Sequence, residues 1–175
     1  KDFYSVLVKL KTLGYTKKIG VSIYADDDLE SLFHSQLPDL VQLPLNILDT
    51  RLLKNGLIDK LKNEGIEVHA RSIFLQGLLF LKNDELKRKF PDAIDILNPI
   101  KQISQKAGVP LSNFSLSWVY SLSCIDGIVM GVDNLDQLIN NLKNLEQKID
   151  PQLFEEALSV NIDNKYILNP SYWSK

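Results

Sequence analysis

The chain has 175 residues, 45% hydrophobic and 24% charged, with a net charge of −2 and a pI near 5.7. That suffices for one soluble domain with a real core, 1–175, whose residues 146–175 read as a C-terminal helix and tail. No basic patch invites nucleic acid, the lone Cys124 excludes an intramolecular disulfide and suits a reducing cytoplasm, and neither a membrane-length apolar run nor a signal peptide is read.

Phe3–Leu13 carries apolar residues at helical spacing and stops at Gly14. Lys18–Tyr24 reads as a strand. Asp26–Asp28 then open a helix, Leu29–Ser35, their charges suiting the positive end of its dipole and His34 lying on its surface. Leu40–Leu48 is a second buried strand, ending near Pro44 because proline cannot donate to a ladder. Leu53–Asn63 is an amphipathic helix closed by Gly65. Ile66–Ser72 is the third strand. Alternation puts Ile66, Val68 and Ala70 on one face and Glu67, His69 and Arg71 on the other. An apolar face behind a polar one suits a barrel strand with helices outside and a polar lumen inside. The loop after it, with Phe74, Gln76 and Gly77, sits where α/β proteins place ligands.

Residues 80–90 are charged and read as loop or helical turn. Ala93–Ala107 is helical across Pro99, either kinked there or restarted with Asn98 as cap. Ser112 caps a helix over Phe114–Ser121, whose Trp118 belongs to the core. Asp126–Val132 is a fourth strand, backed by a helix over Asn134–Leu145. Pro151–Val160 is the last helix, and Tyr166–Trp173 an aromatic tail packed on the body. Cys124 reads as a small buried hydrophobe, and His69 as a satisfied lumen histidine, since no Cys or second His stands at ligand spacing.

This alternation predicts parallel strands joined by right-handed crossovers: an α/β, parallel-stranded (β/α)4 half of a TIM-type barrel with extra C-terminal helices. Such a half has bare edges, which a complementary half or a second copy would cover. The chain begins at Lys1, so at least an initiator residue is expected to precede it.

Four segments in register, KIGVSIY, LVQLPLNILDTR, VHARSIFLQGLL and IVMGVDNLDQLINNLK, resemble the second half of the aldo-keto reductase family. The tail NKYILNPSYW is similar to that of some bacterial members. The resemblance implies a (β/α)8 barrel that binds NAD(P)H without a Rossmann fold, and no G-x-G-x-x-G occurs here. It implies that Ser22 and Gln42 hold the nicotinamide carboxamide, Gln42 being an amide in an apolar strand that needs polar partners. It places Arg71 where the family has an aromatic ring stacked on the nicotinamide; a planar guanidinium also stacks. Ser72, Phe74, Gln76 and Gly77 match the pyrophosphate loop.

Gly131 opens a loop into a helix whose free N–H groups suit a phosphate, and Gln137, Asn140 and Asn141 resemble the contacts to the adenosine end. Asp133 would repel a 2′-phosphate and accept from a free ribose hydroxyl, a lean to NAD over NADP. No metal is implied. The family's catalytic Tyr, Lys, Asp and His lie on the first half of the barrel, so the resemblance implies a parent reductase of a small carbonyl compound and no catalysis by this chain alone. A non-catalytic binding or scaffold module on the same fold is the alternative, and an unrelated phosphate-binding half-barrel a third.

Overall fold

Among the residues that the computed structural model describes, 3–25, 27, 37–160 and 164–173, the strands form one parallel sheet in sequence order. They are β1 (Gly20–Ser22), β2 (Leu40–Pro44), β3 (Glu67–Arg71) and β4 (Gly127–Ile128). β2 ends at Pro44 as expected, while the other three are shorter than the sequence pattern suggests, because the ladder stops where the chain turns towards its helices. The expected helix over 29–35, with Asp26, Asp28 and His34, lies outside the described residues.

Register fixes the two faces. Gln42 sits opposite both Ser22 and His69, Val41 opposite Val68, Leu43 opposite Ala70, and His69 opposite Gly127. Val41, Leu43, Val68 and Ala70 are fully buried against the helical layer. Gln42, His69 and Arg71 are half-buried on the other face, as the alternation in β3 predicts. The imidazole of His69 lies over Gly127, where a Cβ would come within 2.9 Å of the ring. A side chain there would displace the histidine that shares the face with Gln42.

The helices follow as α1 (Phe3–Thr12), α2 (Arg51–Lys54), α3 (Leu57–Asn63), α4 (Asn83–Lys89), α5 (Ile94–Lys106), α6 (Leu111–Ser121), α7 (Leu135–Leu145), α8 (Pro151–Leu158) and α9 (Lys165–Leu168). Three expectations are corrected. The helix over 53–63 is two, α2 and α3, because Gly56 adopts φ 77°, a left-handed conformation that ends one turn and starts the next. Residues 83–89 are a full helix, α4, with Asp84 and Glu85 in its first turn and Lys87, Arg88 and Lys89 in its last, the charge order its dipole favours. Ser112 does not cap α6; the helix begins at Leu111 after an extended Pro110, and burial of Leu111 draws Ser112 inside it. Helix α5 runs through Pro99 as one element.

Helix α6 is buried around most of its circumference, with Phe114 and Trp118 among the largest enclosed side chains. Truncating such a side chain to alanine costs about 3–5 kcal/mol. The C-terminal tail closes on the body, the Trp173 ring lying 4.6 Å from that of Phe90 and its Nε1–H donating to the Tyr166 carbonyl.

At the amino ends of the strands one device occurs twice. The Asp39 carboxylate accepts the Ile19 N–H at 2.9 Å and pairs with Lys11 of α1. The Asp126 carboxylate accepts the Val68 N–H at 2.8 Å and pairs with Lys62 of α3 at 2.6 Å. Each aspartate thus tethers the preceding strand and a covering helix at the face where barrels keep their stability residues.

The sheet's edge strands, β1 and β4, have no further strand beside them among the described residues. Helix α1 buries no residue and exposes Phe3, Val6 and Leu10 along one stripe, which Leu13 continues just past its end. Helix α7 likewise exposes Leu135, Leu138, Ile139 and Leu142. No described helix is long and apolar enough to cross a membrane.

Candidate functional site

The carboxyl ends of β1 and β3 meet through one side chain. Arg71, the last residue of β3, donates from Nε to Ser22 Oγ at 3.2 Å, from Nη1 to Ser72 Oγ at 3.2 Å and from Nη2 to the Ile23 carbonyl at 3.0 Å. The Tyr24 ring covers the guanidinium at 4.4 Å. Planarity explains the arrangement: a guanidinium donates in its plane and stacks across it. Gln42 lies beside Ser22 in register, and its side-chain amide makes no hydrogen bond among the described residues.

The segment after β3 departs from ordinary backbone. Ser72, Leu75 and Gln76 have φ of 60°, 47° and 48°, and Gly77 has 90°. Left-handed conformations in non-glycine residues are costly and concentrate where a loop is held for a purpose. Here the hold is visible. The Asn46 side chain, fully buried after β2, accepts the Leu48 and Asp49 N–H groups and donates to the Ser72 carbonyl at 3.1 Å. Ser115 of α6, also fully buried, donates to the Ile73 carbonyl at 3.0 Å and accepts the Ile47 N–H. The loops after β2 and β3 are therefore tied to each other and to the helical layer.

A cavity of about 380 Å³ opens at this rim. Tyr24, Arg71, Ser72 and Gln76 form one side, and the tail residues Pro170, Ser171 and Trp173 the other. Phe74, half-buried beneath the loop, packs its ring 5.2 Å from Phe80 and does not line the cavity.

The remaining candidates belong to the loop after β4 and to α7. Gly131 is exposed, with open space where a Cβ would stand. Asn134 caps α7 by accepting the Gln137 N–H at 2.9 Å. The Gln137 side chain reaches back to the Asp133 N–H at 2.8 Å and to the Asp133 carboxylate at 3.3 Å. Gln137 and Asp133 are thus engaged with each other in a variant of the capping box. Asn140 is exposed, and half-buried Asn141 donates weakly to the Met130 sulfur at 3.7 Å.

The structure thus joins Ser22, Arg71 and Ser72 by direct hydrogen bonds, with Gln42 in the adjacent row and Gln76 on the same cavity. No hydrogen bond connects Gly131, Asp133, Gln137, Asn140 or Asn141 to that cluster among the described residues. Tyr24, Asn46, Ser115 and Trp173 were not anticipated. A serine between Phe114 and Leu116 in the core-forming helix and an asparagine just after a buried strand are the signals that point to the inner two. No group of three or more His, Cys, Asp or Glu among the described residues is placed to hold a metal ion.

The model of the aldo/keto reductase family matches residues 1–162. L-glyceraldehyde 3-phosphate reductases from two Escherichia coli strains, O157:H7 and K12, are each 24% identical over 165 residues. The match covers 81% of this chain and 48% of each relative, so the chain spans about half the length of the curated relatives it matches. Among solved structures, an aldo-keto reductase of Bacillus halodurans in its holo form superposes with a TM-score of 0.73 at 16% identity, over 89% of this chain and 54% of that one. A thermostable aldo-keto reductase in complex with the inhibitor epalrestat gives 0.66 at 21% identity, over 90% and 53%. At those identities the likeness establishes the fold, half of a TIM-type barrel.

Proposed function

Since this chain belongs to the aldo/keto reductase family, we propose that it forms the cofactor-bearing half of an NAD(P)H-dependent reductase of small carbonyl compounds. The observation that carries this reading is the meeting of Ser22, Gln42, Arg71 and Ser72 at the carboxyl rim of one parallel sheet. The residues fit the group. The half-buried Gln42 amide has donors and an acceptor without hydrogen-bond partners among the described residues, and a carboxamide presents the complementary set. Ser22 Oγ already accepts from Arg71, which leaves its hydroxyl proton free to donate to the same amide. Arg71 offers a flat cationic platform, held by Tyr24 and three hydrogen bonds. When bound, the dinucleotide would supply a hydride; the chain's own part is to orient it and exclude water.

The acid that protonates the carbonyl is expected on a complementary half, packed on the open edges beside β1 and β4, so this chain alone should not turn over. Phosphorylated or free small aldehydes and sugars are the substrate class, by kinship with the L-glyceraldehyde 3-phosphate reductases. Asp133 at the α7 end favours NAD over NADP by repelling a 2′-phosphate. Calorimetry with NADH and NADPH tests this: micromolar binding is expected, tighter for NADH, and Gln42→Ala should weaken it about tenfold, the loss of one or two hydrogen bonds at about 1 kcal/mol each. No heat with either dinucleotide, in a folded sample, would favour the second reading, a non-catalytic binding or scaffold module. The mutual saturation of Gln137 and Asp133 suits that reading, because it leaves those side chains satisfied without a ligand.

A further inference from the structure

Helix α7 carries leucines at 135, 138, 142 and 145. Steps of three and four residues are the a/d repeat of a helix seam, which sets all four on one side. Leu135, Leu138 and Leu142 are exposed, Leu135 with 67% of its surface open, and Ile139 beside them is exposed too. The helix is fixed at its amino end by Asn134 and Gln137, and half-buried Asn141 and Leu145 touch the body. A helix this short owes most of its stability to the packing of an apolar face. Here that face is formed and open to solvent.

The seam runs into a cavity. Leu145, its last member, is one wall of a space of about 290 Å³ between α6, β4 and α7, with Leu116, Val119, Tyr120, Ile128 and Met130 among the others. Tyr120 is itself exposed, so the space opens outwards. A dry cavity of roughly 150 Å³ already takes a benzene-sized group, so a leucine side chain fits this one. One end of the seam thus offers a protruding leucine and the other a hollow. Charge repeats the pattern. Asp136 and Lys143, both exposed, share one flank because they stand two turns apart. If two copies of α7 lie antiparallel about a two-fold axis midway along the seam, Leu135 faces the partner's Leu145 and Leu138 the partner's Leu142. Asp136 then comes level with the partner's Lys143. Helix α1 offers no such match, because its charged residues, Lys9 and Lys11, have one sign and a self-pair would set them together.

We infer that α7 is a self-association surface: two copies of the chain pair antiparallel through the leucine seam, and Leu135 of each fills the cavity beside the partner's Leu145. Asp136 and Lys143 close the flank with two ion pairs related by the axis. The patch is small beside the roughly 1,200–2,000 Å² of a standard interface, so the dimer is a micromolar one. Two-fold closure uses up both seams and stops growth at two copies. The inference does not rest on the reading above: a chain that bound no dinucleotide would still satisfy it.

The test is sedimentation equilibrium of the full chain across the micromolar range, with circular dichroism as the control for folding. A monomer–dimer equilibrium is expected. Leu135→Ala should weaken it about tenfold, the loss of one buried leucine from each copy. Asp136→Lys or Lys143→Asp alone should weaken it severalfold, most at low salt, because each sets two like-charge contacts across the axis. The double exchange, Asp136→Lys with Lys143→Asp, should restore the affinity to within about twofold of the parent. If Leu135→Ala loses helical signal, the charge exchange decides, since both of its positions are exposed. A monomer throughout would leave the seam to a different chain and overturn the inference. Growth beyond two copies, the mark of an α1–α7 or strand-edge contact between copies, would overturn it as well. So would a dimer that Leu135→Ala leaves unchanged, or a double exchange that recovers nothing.

Discussion

Asp126 illustrates how single residues set this fold's tolerance. Burial raises its carboxyl, but the Lys62 ammonium and the Val68 N–H together hold it below its ordinary value. For Asp39 the bond from Lys11 dominates, with the Ile19 N–H, and the direction is the same. A carboxyl depressed in the folded state contributes stability that is complete above its unfolded value and is lost as pH falls through the folded one. The loss therefore falls below about pH 4, the usual carboxylate range. Asp126→Asn should cost about 1 kcal/mol at neutral pH, since the pair is partly exposed and the backbone bond is the better half. Urea unfolding across pH 3–7 should also show a shallower acid limb for the variant.

The polar residues of β3 were legible from alternation alone, as was Gln42, an amide among aliphatics. Tyr24 over Arg71 was not, because that contact joins positions 24 and 71 through the sheet and no local pattern encodes it.

At the level of elements, helix α7 has a clear local grammar and no buried residue. Asn134 and Gln137 satisfy its first turn, yet none of its residues is buried. Its stability therefore leans on capping more than that of α6, which is enclosed. Asn134→Ala should cost about 1 kcal/mol, read by thermal unfolding, and should release Gln137 from Asp133 as well. Helix starts with a polar cap were readable in advance, and this one was placed within a residue. Those fixed by burial were not: Leu111 begins α6 because the core needs it, and Ser112, the better cap by type, is carried inside. The split between α2 and α3 turns on Gly56, which looks like any tolerated helix glycine until its φ of 77° is known.

The whole molecule is organised by what its sheet leaves open. Strand order and parallel direction followed from the alternation of strands and helices; the exposed stripes on α1 and α7 did not, because amphipathic spacing is the same whether or not a partner is present. The stripes lie on the helices next in sequence to the two edge strands. Alone in solution the chain should sediment at micromolar concentration as a dimer or larger, since edge strands and apolar stripes of this kind recruit neighbours. Leu138→Lys with Leu142→Lys should shift it towards monomer while leaving the far-ultraviolet spectrum unchanged. A clean monomer for the parent chain would count against association through these edges.

The turn after β3 carries a consequence for anyone who would engineer this scaffold. Ser72, Leu75 and Gln76 each occupy a conformation that glycine or asparagine would adopt more comfortably. A library screened only for heat resistance should therefore collect replacements at these positions early. Their arrival would slacken the very wall that aims Arg71, so hardier descendants of this chain are expected to be poorer hosts for whatever it holds.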